Sequence, residues 1–153
     1  ERYCDMGRKK WHQGKFTQTN PAKYSGKGDQ TFRSSWERTF MQFCDTNDSV
    51  LAWASESIKI PYFNPIKQKQ SIYVPDFVIV YLDSNGNKKA ELVEIKPLSQ
   101  TDPGKAKRLN EKMQVAVNYA KWEQAKHWAE SRGMTFRILN EGDIYSNRKG
   151  GKK

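Results

Sequence analysis

An α/β fold, with a central mixed sheet flanked by helices, is what this sequence predicts, and three observations carry that expectation. Apolar residues recur at helical spacing in two stretches, from Phe32 to Phe43 and from Leu109 to Trp128. Three β-type runs lie between these stretches and a fourth follows the second, giving the order helix, three strands, long helix, strand. The middle run, residues 72–82, is apolar on both of its alternating sides, as a central strand covered on both faces must be.

Each element has a local reason. Residues 1–30 are rich in Lys, Arg, Gln, Asn and Gly, with Tyr3, Trp11, Phe16 and Tyr24 scattered among them, which is the composition of an extended basic arm. Such an arm has two uses: it can lie along a phosphate backbone or dock on a neighbouring subunit. Ser34 or Ser35 caps a first helix running to about Asp45, with Phe32, Trp36, Phe40 and Phe43 as its buried stripe. Leu51 to Tyr62 reads as one strand, and Pro61, lacking an N–H, suits its end or an edge. Glu56 interrupts that strand, either as a carboxylate near a site or as an edge residue facing water. Pro65 to Gln70, with Lys67 and Lys69, reads as a polar loop that either touches DNA or is simply solvated.

The runs ending at Leu82 and beginning at Lys89 are joined through Asn85-Gly86, the positive-φ pair of a tight antiparallel hairpin. Asp102 at the cap and Pro103 in the first turn open a helical stretch that continues, with one break, to Arg132, where Gly133 stops it. Its expected stripe is Leu109, Met113, Ala116, Val117 and Ala120, extended by Trp122, Ala125 and Trp128. Lys105, Lys107, Arg108, Lys112 and Lys121 give it a basic side. Met134 to Asn140 is the last strand. The organisation expected is a single domain over residues 31–146, between the arm at 1–30 and a flexible basic tail at 147–153.

Length and composition fit that plan. A chain of 153 residues with 36% hydrophobic content is one domain by size, with a core of modest extent. Lys and Arg exceed Asp and Glu by 27 − 17 = 10, a field that draws polyanions. Cys4 and Cys44 are too few for a disulfide framework, and His12 and His127 stand apart from them, so neither redox staples nor zinc are expected. No stretch approaches the roughly 18 consecutive apolar residues of a membrane span. The first residues also lack a signal peptide's apolar core, so neither insertion nor export by that route is expected.

The chemistry is concentrated in two short motifs. Asp76 stands inside the apolar run Ser71 to Leu82, where a lone carboxylate is costly to bury unless a cation or donor satisfies it. Glu94 and Lys96, two residues apart in the next run, point to one face of a strand. Two carboxylates and an ammonium can therefore converge. Oxygen donors of that kind suit Mg²⁺ (or Mn²⁺), which binds through few protein carboxylates plus substrate phosphate. The reaction such a set supports is hydrolysis of a phosphodiester, with Lys96 orienting water or stabilising charge.

Pro75-Asp76 followed by Glu94-Ile95-Lys96 resembles the PD-(D/E)XK nuclease signature. The wider pattern resembles one branch of it, the head-completion proteins of T-even-like contractile-tailed bacteriophages. The likeness runs in order through Lys23 to Gly26, Phe32 to Phe40, Leu51 to Phe63, Val93 to Pro97, Asn118 to Ala125 and Arg132 to Leu139. It implies a restriction-endonuclease-like core, with Asp76, Glu94 and the backbone carbonyl of Ile95 as metal ligands and Lys96 as the catalytic ammonium. Glu37 matches a helix Glu that adds to the metal site in such nucleases; by its own position it can equally be an exposed helical Glu paired with Arg33. Gln114 likewise either faces the metal or is an ordinary helical Gln.

The resemblance also implies a setting: a virion component at the head vertex or neck, assembled in the host cytoplasm, with double-stranded DNA and portal or neck proteins as partners, acting on the packaged genome end. Two other readings stand beside it, a catalytically silent plug that binds DNA, and a repair or transposon-end nuclease with the same site plan. Presence of the full trio favours catalysis, since scaffolding needs none of it.

Overall fold

The structure, a computed structural model, describes residues 13–26 and 30–144. Among these residues eight strands and two α-helices follow one another, with short 3-10 turns between some of them: β1 (Gly14–Phe16), β2 (Gln30–Phe32), α1 (Ser35–Thr46), β3 (Val50–Ser55), β4 (Ile60–Asn64), β5 (Lys69–Tyr73), β6 (Phe77–Leu82), β7 (Lys88–Ile95), α2 (Leu109–Glu130) and β8 (Thr135–Leu139). The central sheet has the order β3-β6-β7-β8. Its first two pairings are antiparallel and β7 with β8 is parallel, so the sheet is mixed. A parallel step requires a crossover, and α2 supplies it. Strands β1 with β2, and β4 with β5, form separate antiparallel ribbons.

Alternation along the strands fills two cores. Phe77, Ile79, Val93 and Ile95 face α1 and meet Phe40, Met41, Cys44 and Trp53. Leu92 and Val78 face the other way, against Trp122, Ala125 and Ala129 of α2 and Ile60, Tyr62 and Tyr73 of the β4–β5 ribbon. Strand β6 is thus central and covered on both faces, as its apolar run predicts.

Several element boundaries differ from the expectation. The run Leu51 to Tyr62 is two strands, because the chain turns at Glu56, whose φ is 49°. That turn leaves β3 in the central sheet and sends β4 to the ribbon, where Pro61 sits on an outer position opposite Ile72. The apolar run before Leu82 is also split, at Pro75-Asp76, since Pro75 cannot continue a ladder. Lys69 and Gln70 belong to β5, so only residues 65–68 form the expected polar loop.

In the β6–β7 hairpin only Gly86 has a positive φ, 82°, because the loop spans five residues rather than two. Asp83 closes it, accepting from Asn85 N and Asn87 N at 2.9 Å each. In α1, Phe43 is 36% exposed while Met41 and Cys44 are buried, so the buried stripe lies about one residue round from that expected. Asp102 caps a 3-10 turn, Pro103–Lys105, and not the long helix. Glu111 caps α2 instead, accepting from Lys107 N and Arg108 N, and these basic residues therefore precede the helix.

The buried stripe of α2 is Val115, Asn118, Trp122, Ala125 and Ala129, and Leu109 is 71% exposed. Asn118 is tolerated there because its amide is satisfied: Nδ2 donates to Gln100 O at 3.3 Å and Oδ1 accepts from Gln114 at 3.0 Å.

The described part of the expected arm is seated on the domain. Phe16 and Tyr24 meet Trp53 edge-on, with centroids 5.9 and 4.7 Å away. Thr19 N and Asn20 N donate to the buried Asp45 carboxylate at 2.7 and 3.0 Å. Residues 1–12 and 27–29 of the arm, with Cys4 and His12, and the tail 147–153 lie outside the described residues. Among those described, no helix is long and apolar enough to cross a membrane.

Candidate active site

The strand break at Pro75-Asp76 creates the site. Pro75 is fully buried, and it lies in the three-residue gap, 74–76, between the end of β5 and the start of β6, so Asp76 is held between two strands rather than within one. Three hydrogen bonds fix it. Asp76 N donates to Glu94 Oε1 at 3.2 Å, Asp76 Oδ2 accepts from Ile95 N at 2.8 Å, and Asp76 O accepts from Glu56 N at 3.0 Å. Glu94 is 5% exposed, and its Oε1 also accepts from the Tyr73 hydroxyl at 2.8 Å. Lys96 Nζ stands 3.8 Å from Glu94 Oε2, its side chain partly open to solvent. Asp76, Glu94 and Lys96 therefore meet as the spacing of their strands predicts.

The electrostatics oppose two negative charges on the pair at once. Burial first, and then the neighbouring Glu94, push the Asp76 carboxyl up to about 8, against the Ile95 N–H and Lys96. Burial raises Glu94 as well, in spite of the Tyr73 hydroxyl and Lys96. Because the two carboxyls interact, their protons belong to the pair. Burial and the nearby Glu94 push the Tyr73 hydroxyl far up, so it stays a donor.

Residues 47–141 match the family described as TnsA-like endonuclease N terminal. Over 144 residues the chain is 37% identical to the head completion nuclease of Enterobacteria phage T4, an alignment covering 87% of this chain and 93% of that protein. The chain belongs to the PD-(D/E)XK nuclease superfamily.

In this PD-(D/E)XK chain the donor set fits a hard divalent cation. Asp76 Oδ2 and Glu94 Oε1 are held by protein donors, whereas Asp76 Oδ1 and Glu94 Oε2 accept no hydrogen bond among the described residues. Two half-free carboxylates, buried together with one ammonium beside them, suit an ion that takes few protein oxygens. No group of three or more His, Cys, Asp or Glu side chains converges as a metal cage among the described residues. Glu37 accordingly does not close a three-acid cluster. Its Oε1 accepts from Arg33 N at 2.9 Å while Ser34 Oγ accepts from Glu37 N, so it caps α1. It is still near enough to sense Lys96, and burial raises its carboxyl. The Arg33 guanidinium pairs with the exposed Glu56 and not with Glu37.

Two residues that the sequence does not single out for the site belong to it. Tyr73 fixes Glu94, and Lys121, on α2, places its Nζ 5.6 Å from the centre of the Tyr73 ring. Burial first, and then Lys96, lower the Lys121 ammonium, while Glu94 and Asp76 pull it the other way. Its spacing, three residues after buried Asn118 and four before buried Ala125, is the signal that could have marked it as inward-turned. Gln114 bonds Asn118 and borders a groove between α2 and the β4–β5 ribbon.

Proposed function

We propose that this chain is a divalent-metal-dependent DNA endonuclease of phage head completion, acting on the end of the packaged genome at the head vertex or neck. The observation that carries the reading is the hydrogen-bonded Asp76–Glu94 pair beside Lys96, in a chain so similar along its length to a head completion nuclease. Asp76 Oδ1, Glu94 Oε2 and the Ile95 backbone carbonyl would hold Mg²⁺ or Mn²⁺, with Glu37 as an outer acid. Such an ion, when bound, polarises a phosphoryl oxygen and makes a bound water acidic.

The chain's own groups do the rest. Ile95 N and Tyr73 OH orient the two carboxylates before substrate arrives, which removes a reorganisation cost. Lys96, partly exposed, donates to the attacking water or to a phosphate oxygen as charge develops there. The net charge of +10 concentrates double-stranded DNA at the surface. Portal or neck proteins are the partners that this role requires, met in the host cytoplasm during assembly and retained in the virion.

The test is a cleavage assay on Asp76→Ala and Glu94→Ala with circular dichroism as the control for folding. Both variants fold and neither cuts DNA in Mg²⁺, because each loses a ligand and little packing volume. Undiminished cutting by both would overturn the assignment, and a parent chain that binds DNA without cutting would leave the silent plug. The TnsA-like match favours a second reading, a transposon-end nuclease. Recovery of the chain with filled heads rather than with transposon ends separates the two.

A further inference from the structure

A groove of about 430 Å³ runs between the β4–β5 ribbon and α2, and it shares Lys121 with the surroundings of the carboxylate pair. Its lining is chemically one-sided. Lys67 on the ribbon and Lys121 on the helix border it, and among the described residues no carboxylate does. Ile66, Met113 and Val117 supply an apolar floor. Of its three carboxamides, Asn64 is committed to the ribbon's turn, where its Oδ1 accepts from Ile66 N and Lys67 N. The side-chain amide of Asn110 makes no hydrogen bond among the described residues and the Oε1 of Gln114 accepts none, so both are available to a ligand. A flat apolar body, polar edges and negative charge are together what this lining complements, and a nucleotide has all three.

Lys121 ties the groove to the chemistry, since it borders the groove and also stands over Tyr73, the residue that holds Glu94. We propose that the groove binds an unpaired nucleotide, so that the DNA on which this chain acts carries a single-stranded segment beside the bond to be cut. The proposal rests on the nuclease reading. The groove's volume falls in the range of small-ligand sites, which admits a nucleotide taken out of the stack and excludes a paired helix. The base lies on the aliphatic floor, its edge meets Asn110 and Gln114, and the phosphates on either side meet Lys67 and Lys121.

Binding is measured by fluorescence anisotropy in EDTA, so that no cutting is needed, with a blunt duplex and the same duplex bearing a short 3′ or 5′ single-stranded overhang. The full chain binds one of the overhang duplexes at least about tenfold more tightly than the blunt one. Asn110→Trp, which fills the groove from an exposed helix position, brings that ratio to near one. Lys67→Glu, on the exposed ribbon turn, lowers the ratio in the same sense and guards against a folding artefact in the first variant. Equal affinity for all three duplexes, or a preference untouched by both substitutions, overturns the proposal. An overhang preference in a protein that never cuts would sink the nuclease reading and leave the groove assignment standing.

Discussion

Replacing Asp76 by Asn should change how the stability of the metal-free protein depends on pH, and the sign follows from the site. The folded Asp76–Glu94 pair holds a proton up to about 8, because burial and mutual repulsion oppose a second charge. An unfolded Asp releases its proton near 4. Between those limits the folded state binds more protons than the unfolded state, so stability is highest at the acid end and falls as pH rises. One extra bound proton corresponds to about 1.4 kcal/mol per pH unit, or about 2.7 kcal/mol between pH 5 and pH 7. Asn at position 76 keeps the shape and leaves Glu94 without its carboxylate neighbour, so most of this slope disappears.

Urea unfolding followed by circular dichroism, in EDTA at several pH values, gives both slopes. Other carboxyls titrate in both proteins, so the difference between them is the quantity that decides. Adding Mg²⁺ at pH 7 should restore stability to the parent and much less to Asp76→Asn, by mass action on a site that only the parent forms fully. A parent whose stability rises through this range, or two parallel curves, would refute the reasoning.

Three further outcomes are expected. Lys96→Ala binds DNA nearly as well as the parent and cuts at least roughly a hundredfold more slowly in single-turnover assays, since its ammonium acts on developing charge; an equal fall in binding would make it an anchor instead. Tyr73→Phe removes the hydroxyl that holds Glu94 Oε1 and weakens Mn²⁺ binding about ten- to a hundredfold by calorimetry, as loss of an outer-shell partner does. Asp45→Ala strips the acceptor from Thr19 N and Asn20 N and costs about 1–3 kcal/mol in urea unfolding. It also opens residues 13–26 to limited proteolysis.

The parts of the fold that local chemistry dictates were legible in the sequence, and the parts set by tertiary contact were not. Ser34 as a cap, Gly133 as a stop and β6 as a doubly covered strand follow from single residues or short patterns. The stripe of α2 escaped because Asn118 counts as polar in any periodic pattern. It is buried because its amide is satisfied twice, by Gln114 one turn back on the same helix and by the Gln100 carbonyl, which only the fold brings to it. The turn at Glu56 escaped because nothing in that residue type announces a positive φ; Arg33 and Asp76, both remote in sequence, bond it there. In the site, Asp76, Glu94 and Lys96 could be read because strand periodicity alone aligns the last two. Tyr73 was absorbed into what looked like one continuous strand, and Pro75 was the overlooked sign that it is not.

Asp76 is tied at its amide, its carbonyl and its side chain to segments that meet only when β3, β6 and β7 are all in place. A partly folded chain therefore lacks the Asp76–Glu94 pair altogether, rather than holding a loose version of it. If the pair is the cutting centre, as proposed above, that linkage would act as a safety catch: a copy whose sheet has not closed would leave the surrounding DNA alone, and activity would itself report that folding is complete.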